Sequence, residues 1–155
     1  MWLVALVALG LVNGLIVQKE LNLAQGQSVY LELAPIDPRS LIQGDYMVLR
    51  YAIVAELSTV NLPEKGLLVL TTDKNKVAHF QRVYQVDEPL AAEEVLLIYH
   101  KRGDDVWLGT ESFFFQEGQA NYYRNAHYAE LKITDTGENV LVGLRGENFE
   151  PLGPP

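Results

Sequence analysis

Beyond residue 19 the hydrophobic and polar positions alternate with a period of two more often than they recur every three or four residues. From Ser28 to Pro35 this alternation puts Val29, Leu31 and Leu33 on one face. Tyr46 to Glu56 reads as one long strand. Within Gly66 to Thr72, the run Leu67-Leu68-Val69-Leu70 is apolar on both sides, the pattern of a central strand. Lys76 to Val86 alternates again, with Ala78, Phe80, Tyr84 and Val86 on one side. Glu94 to Lys101 and Val106 to Phe115 flank Arg102-Gly103-Asp104-Asp105 and predict a hairpin. Ala129 to Ile133 and Val140 to Leu144 flank Asp135-Thr136-Gly137-Glu138-Asn139 and predict another. One short helix is expected between Gln119 and Ala126, and Pro151, Pro154 and Pro155 mark a frayed end. Together these elements predict a mainly β fold, an antiparallel barrel or sandwich of about 7–8 strands with one short helix.

A different pattern precedes the body. Met1 to Gln18 carries no charge, and every formal charge lies at Lys19 or later. An apolar helix of about 17 residues spans roughly 25 Å, slightly less than a ~30 Å hydrocarbon core. Thinning of the bilayer, or burial of Leu21 and Leu23, would close the gap. The expectation is an N-terminal transmembrane helix at 1–18 and an extracytoplasmic β-rich domain at 19–155. A cleaved signal peptide is disfavoured, because no Lys or Arg precedes the run and Asn22-Leu23-Ala24 is a poor small-x-small site. The Gly10/Gly14 spacing, with Asn13 beside it, suits close helix contact and a homo-oligomer, or simply glycine tolerated in a membrane helix. Lys19 and Glu20 cancel, so flanking charge does not set the orientation.

Composition narrows the chemistry. The chain of 155 residues has 20 acids against 12 bases, a formal net charge of −8 that argues against a broad nucleic-acid surface. With no cysteine, disulfides, cysteine zinc sites and thiol catalysis are excluded. His79, His100 and His127 lack metal-ligand spacing, so no metal is expected. There is no Walker loop, dinucleotide glycine fingerprint, HExxH or GxSxG, and no cofactor is expected. Arg82 falls on the face of Phe80, Tyr84 and Val86, where it must snorkel to an edge or pair with Asp37 or Asp45. Glu93-Glu94 and Asp104-Asp105 read as solvated pairs. Phe113 and Phe115 face one way and Phe114 the other, as in a strand covered on both sides. Tyr122, Tyr123 and Tyr128 surround Arg124, either lining a groove or packing at the rim of the core.

The most informative stretch runs from Pro35 to Tyr51: PIDPRSLIQGDYMVLRY. Asp37 can cap the amides of Arg39 and Ser40, with Pro38 at the first position of a helical turn. Gly44 suits the left-handed residue ending that turn, and Asp45 can bond its amides. In the strand that follows, Met47, Leu49 and Tyr51 share one face, and Tyr46, Val48 and Arg50 the other. A capped turn feeding a core strand accounts for most of these residues. It leaves over Asp37, Arg39, Asp45, Tyr46 and Arg50, which at one rim could bind a polar head group, a peptide terminus or a partner loop. Arg39 stands out, because a structural turn does not need a guanidinium there.

GDYMVLRY fits the signature of the bacterial GDYXXLXY family at all five defined positions. The preceding Asp-Pro-Arg, the N-terminal apolar run and the later Phe-Phe-Gln-Glu-Gly are also similar to that family. The resemblance implies a domain anchored on the outer side of the bacterial cytoplasmic membrane, in partnership with polytopic membrane proteins. It carries no activity. The candidate binding set is Asp37, Arg39, Gly44, Asp45, Tyr46, Arg50 and Tyr51, with no catalytic residue among them. Ser40 to Asp45 also resembles the segment near the nucleophile of bacterial signal peptidases. In this chain, however, Ile36 stands at the position of those enzymes' serine and Gln81 at that of their general-base lysine.

The leading expectation is therefore a non-enzymatic, membrane-anchored accessory or regulatory module for a polytopic membrane protein. The alternatives are a degenerate signal-peptidase-like hydrolase and an envelope lipid- or small-ligand-binding barrel.

Overall fold

Alternation sinks Val29 and Leu31 into the interior and makes the first strand the one to which the rest of the fold is tied. The computed structural model describes residues 4, 7, 9, 10, 12–14, 17, 26–34, 42, 43 and 46–155. In chain order the strands are β1 (Gln27–Glu32), β2 (Ile42–Gln43), β3 (Tyr46–Val48), β4 (Lys65–Thr72), β5 (Ala78–Val83), β6 (Glu94–Arg102), β7 (Asp105–Trp107), β8 (Ser112–Phe114), β9 (Tyr128–Ile133) and β10 (Asn139–Arg145). Helix α1 (Ala52–Leu57) follows β3, and a 3-10 helix (Ala120–Tyr123) precedes β9. Three open antiparallel sheets result, ordered β1-β9-β10, β2-β3-β8 and β5-β4-β6-β7. Isolated bridges join them through β1 and its continuation: Tyr30 to Val77 of the third sheet, and Leu33 to Tyr51 beside the second.

One core lies between the sheets. Val29 and Leu31 of β1 meet Leu68 and Leu70 of β4, Leu97 and Tyr99 of β6, and Leu131 and Ile133 of β9. β4 is central, as its continuous apolar run predicts. Leu68 and Leu70 join the core, while Val69, on the opposite face, is also fully buried. Both hairpins form, β6–β7 and β9–β10, each with a glycine at positive φ in its turn, Gly103 and Gly137.

Several expectations are corrected. Tyr46 to Glu56 is not one strand: β3 ends at Val48 and α1 begins at Ala52. The residues at 47, 49, 51 and 53 fit period two, but Ile53 and Leu57 are also one helical turn apart. Burying that pair is what α1 achieves. Val106 to Phe115 is also divided, because the Glu111 carboxylate accepts the amides of Leu108 and, at 3.0 Å, Gly109. This cap turns the chain from the third sheet into the second. Glu111→Ala is expected to cost about 1–2 kcal/mol, as loss of a capping carboxylate does. Urea unfolding should show a lower midpoint with an unchanged slope.

Arg82 does not share the face of Phe80. The register between β4 and β5 shifts between Val69 and Leu70, leaving Gln81 as an extra residue and turning Arg82 to the other side. There its Nε donates to Glu88 at 2.9 Å and Nη1 to Glu94 at 2.5 Å, while Asp37 and Asp45 lie outside the described residues. Glu94 is thus no solvated acid. The Ala91 amide, and then Arg82, hold its carboxyl below the usual range. Val86, expected on the apolar face, is 85% exposed beyond the end of β5. The C-terminal prolines are not simply frayed, since Pro151 bridges Arg145 and the Leu152 amide donates to Leu144 at 3.0 Å.

The largest correction concerns the membrane. The described residues between Val4 and Val17 are helical, but among the described residues no helix is long and apolar enough to cross a membrane. Asn13 donates its side-chain amide to its own helix at the Leu9 carbonyl, 2.8 Å away, and not across a helix contact. The transmembrane anchor, single-pass placement with an extracytoplasmic body, membrane attachment and Gly10/Gly14 oligomer are therefore withdrawn. The accessory role beside a polytopic membrane protein rested on that anchor and is withdrawn with it. The barrel or sandwich of about 7–8 strands is replaced by ten strands in three open sheets among the described residues, and the lipid-binding barrel reading loses its scaffold.

Candidate functional site

The second half of the signature segment is built as its alternation dictates. Met47, Leu49 and Tyr51 are each 2% exposed and enter the core. The Tyr51 hydroxyl donates to the Thr110 carbonyl at 2.8 Å and lies 2.9 Å from the Thr110 hydroxyl. Burial raises its pKa, more than the Thr110 hydrogen bond lowers it, and the Glu111 charge adds to the rise. Tyr51 is a neutral donor that pins the end of β3 to the chain between β7 and β8.

Tyr46, Val48 and Arg50 line the opposite side. Tyr46 stands opposite Phe114 in the register of β3 and β8, with ring centroids 5.7 Å apart. Phe114 is 73% exposed, so β8 is not covered on both faces as Phe113-Phe114-Phe115 suggested. The backbone here is already paired. Leu49 donates to the Glu111 carbonyl at 2.7 Å, and the Arg50 carbonyl accepts from Ala34 at 2.7 Å.

Arg50 opens onto a cleft of about 300 Å³. One wall is the end of β1 and its continuation, Glu32 to Ala34, and another is Met47 to Arg50. The third is Tyr123 to His127, at the end of the 3-10 helix. Tyr123 fixes that helix: it is buried edge-on against Phe113 at 4.8 Å and against Phe115 at 5.5 Å. Arg124 is thereby held at the mouth. Two backbone bonds close the walls together, Leu33 to the His127 carbonyl at 2.8 Å and Ala34 to Arg50.

Arg50, Arg124, Glu32 and His127 are exposed where they line this cleft. Among the described residues, the ion pairs are those of His79, Arg82 and Arg145. Among the described residues, no side-chain hydrogen bond or ion pair engages Arg50, Arg124 or Glu32. Two guanidiniums therefore stand ready to pair with an anion, while one carboxylate on the adjoining wall can accept an N–H. Volume and mixed lining place the cleft at the small end of ligand sites.

Of the seven residues singled out in the sequence, the structure brings Arg50 to the cleft, puts Tyr46 on the adjoining face and buries Tyr51. Asp37, Arg39, Gly44 and Asp45 lie outside the described residues, as does Ser40. Arg124 was visible only as a cation among tyrosines. Tyr123 beside it is core, Tyr122 is exposed, and Tyr128 stacks instead on Phe149 at 4.6 Å. Glu32 and His127 gave no signal, because each lies at the end of a strand on its polar side. Among the described residues, no three His, Asp or Glu side chains are grouped to hold a metal ion.

A family model described as GDYXXLXY protein matches residues 8–144. No curated protein and no solved structure matches the chain.

Proposed function

We propose, for a chain that belongs to the GDYXXLXY family, that the domain is a binding module whose cleft takes the carboxylate of a small ligand or chain end. The observation that carries this reading is the pair of guanidiniums, Arg50 and Arg124, with no side-chain partner among the described residues, lining one cleft of a protein whose net charge is −8. In so acidic a chain, long-range electrostatics repel anions, so a site for one needs local cations in excess of the acids beside them. Arg50 and Arg124 meet that requirement, and a planar carboxylate is the group a guanidinium pairs with in two parallel hydrogen bonds. Glu32 on the adjoining wall favours a ligand with a single negative charge and a nearby N–H over a dianion such as a phosphate. The signature then has two tasks on two faces of one strand: Tyr51 locks the strand and Arg50 meets the ligand.

The test is an NMR titration of the full chain with N-acetyl-leucine and with N-acetyl-leucinamide. The free acid should shift the amides around Arg50 and Arg124, and the uncharged amide should bind at least about tenfold more weakly, the worth of one charge-assisted bond. Arg124→Gln should weaken the acid to a similar degree with an unchanged melting temperature, because the side chain is exposed and unpaired. Equal affinity for acid and amide, or full affinity in Arg124→Gln, would overturn the reading.

A further inference from the structure

The cleft does not end at Arg50. Side chains on the outer face of β3 and the extended chain after it follow one another every second residue, so Tyr46, Val48 and Arg50 form a row about 13 Å long at ~3.3 Å per residue. Val48 and Arg50 belong to the cleft as well as to the row, which makes the two continuous. At the far end of the row Phe114 leans on Tyr46 and is 73% exposed, an aromatic ring that the fold itself does not cover. The surface thus runs from two cations, through a half-buried valine, to an aromatic platform. Because the backbone beside Leu49 and Arg50 is already hydrogen-bonded, an occupant must lie over the side chains and cannot add as a strand at the edge.

We infer that the occupant is the C-terminal end of a polypeptide, with its carboxylate on Arg50 and Arg124 and an aromatic or large apolar side chain three residues earlier on Phe114 and Tyr46. This rests on the carboxylate reading of the cleft and names its substrate class. The fit is one of length and charge. Three extended residues bridge about 10 Å, and an aromatic side chain covers the remaining distance. A chain end has one negative charge, matching two arginines offset by Glu32, and its amides supply the N–H groups that Glu32 can accept. A free carboxylic acid of metabolite size would fill the cleft and leave Phe114 uncovered.

The experiment uses the full chain and three N-acetylated tetrapeptides: phenylalanyl-trialanine as free acid, the same peptide amidated, and tetra-alanine as free acid. On the wild-type protein phenylalanyl-trialanine should bind roughly fivefold more tightly than tetra-alanine, the scale of one aromatic contact. In Phe114→Ser that advantage should vanish while tetra-alanine binds as before, which also shows the variant to be folded. Equal affinity of the two free acids for wild-type protein would overturn the aromatic subsite and leave the carboxylate cleft standing. Binding of N-acetyl-leucine but of neither peptide acid would make the ligand a small acid and refute the polypeptide. Undiminished binding of the amidated peptide would refute this inference and the carboxylate reading together.

Discussion

Replacing Tyr51 with alanine is expected to cost about 3–5 kcal/mol, the range for removing a buried aromatic side chain. Tyr51 is 2% exposed, and its ring closes the junction of the β3 strand, helix α1 and the chain before β8. Tyr51→Phe separates the hydroxyl from the ring. It should cost about 1–3 kcal/mol, because the Thr110 carbonyl and hydroxyl are left buried without their partner. The same phenol gives a pH signature with a definite sign. Burial raises its folded pKa above the ordinary value of 10.0, so near pH 10 the unfolded chain loses a proton that the folded chain keeps. The stabilisation is fully present below that pH and falls as pH rises, by about 1.4 kcal/mol per unit at full slope. Tyr99, buried without a hydrogen-bond partner for its hydroxyl, is raised in the same direction and contributes to both chains alike. Urea unfolding of wild type and Tyr51→Phe at pH 8 and pH 11 isolates Tyr51. The gap between them should shrink by about 1.4 kcal/mol at pH 11. A constant gap would mean that Tyr51 is not held in its neutral form by the fold.

The elements read most easily from the sequence are those whose local pattern has a single physical interpretation. A four-residue apolar run between turn residues has to be covered on both faces, and β4 is. A glycine between two alternating stretches has to reverse the chain, and Gly103 and Gly137 do. Misreadings arise where two patterns overlap or where the deciding contact is distant. Ile53 continues the alternation of Met47, Leu49 and Tyr51 yet also begins the helical pair with Leu57, and packing alone selects α1. The extra residue Gln81 leaves no mark in composition, but it moves Arg82 to a different face and a different pair of acids. The cleft was legible only in part. Arg50 could be found because it is the residue of the signature strand that a core does not use. Arg124 could not be assigned to it, because Leu33, Ala34, Arg50 and His127 are brought together by backbone pairing across more than seventy residues of chain. The apolar N-terminal run shows the opposite error, a composition signal read as a span where no helix among the described residues is long and apolar enough to cross a membrane.

Gly137→Ala is the second substitution expected to have a large effect, and it tests how the first and third sheets are held together. Gly137 sits at φ +87° in the turn between β9 and β10, and its carbonyl accepts the Ile98 amide of β6 at 2.9 Å. A methyl group there would lie 2.8 Å from Leu67 Cδ2 and 3.3 Å from Leu96 Cβ. Two costs therefore add: the left-handed backbone, about 1–2 kcal/mol for an L-residue, and overpacking against β4 and β6, about 1–3 kcal/mol. The melting temperature should fall by roughly 5–15 °C for a chain of this size. Gly103 provides the control, because it has φ +62° in the β6–β7 hairpin with nothing within 4 Å of the added carbon. Gly103→Ala should show only the backbone cost. If both variants lose the same amount by thermal unfolding, the β9–β10 turn is not docked against β4 and β6. If only Gly137→Ala shows the larger loss, glycine is required there for contact between sheets and not merely for the turn.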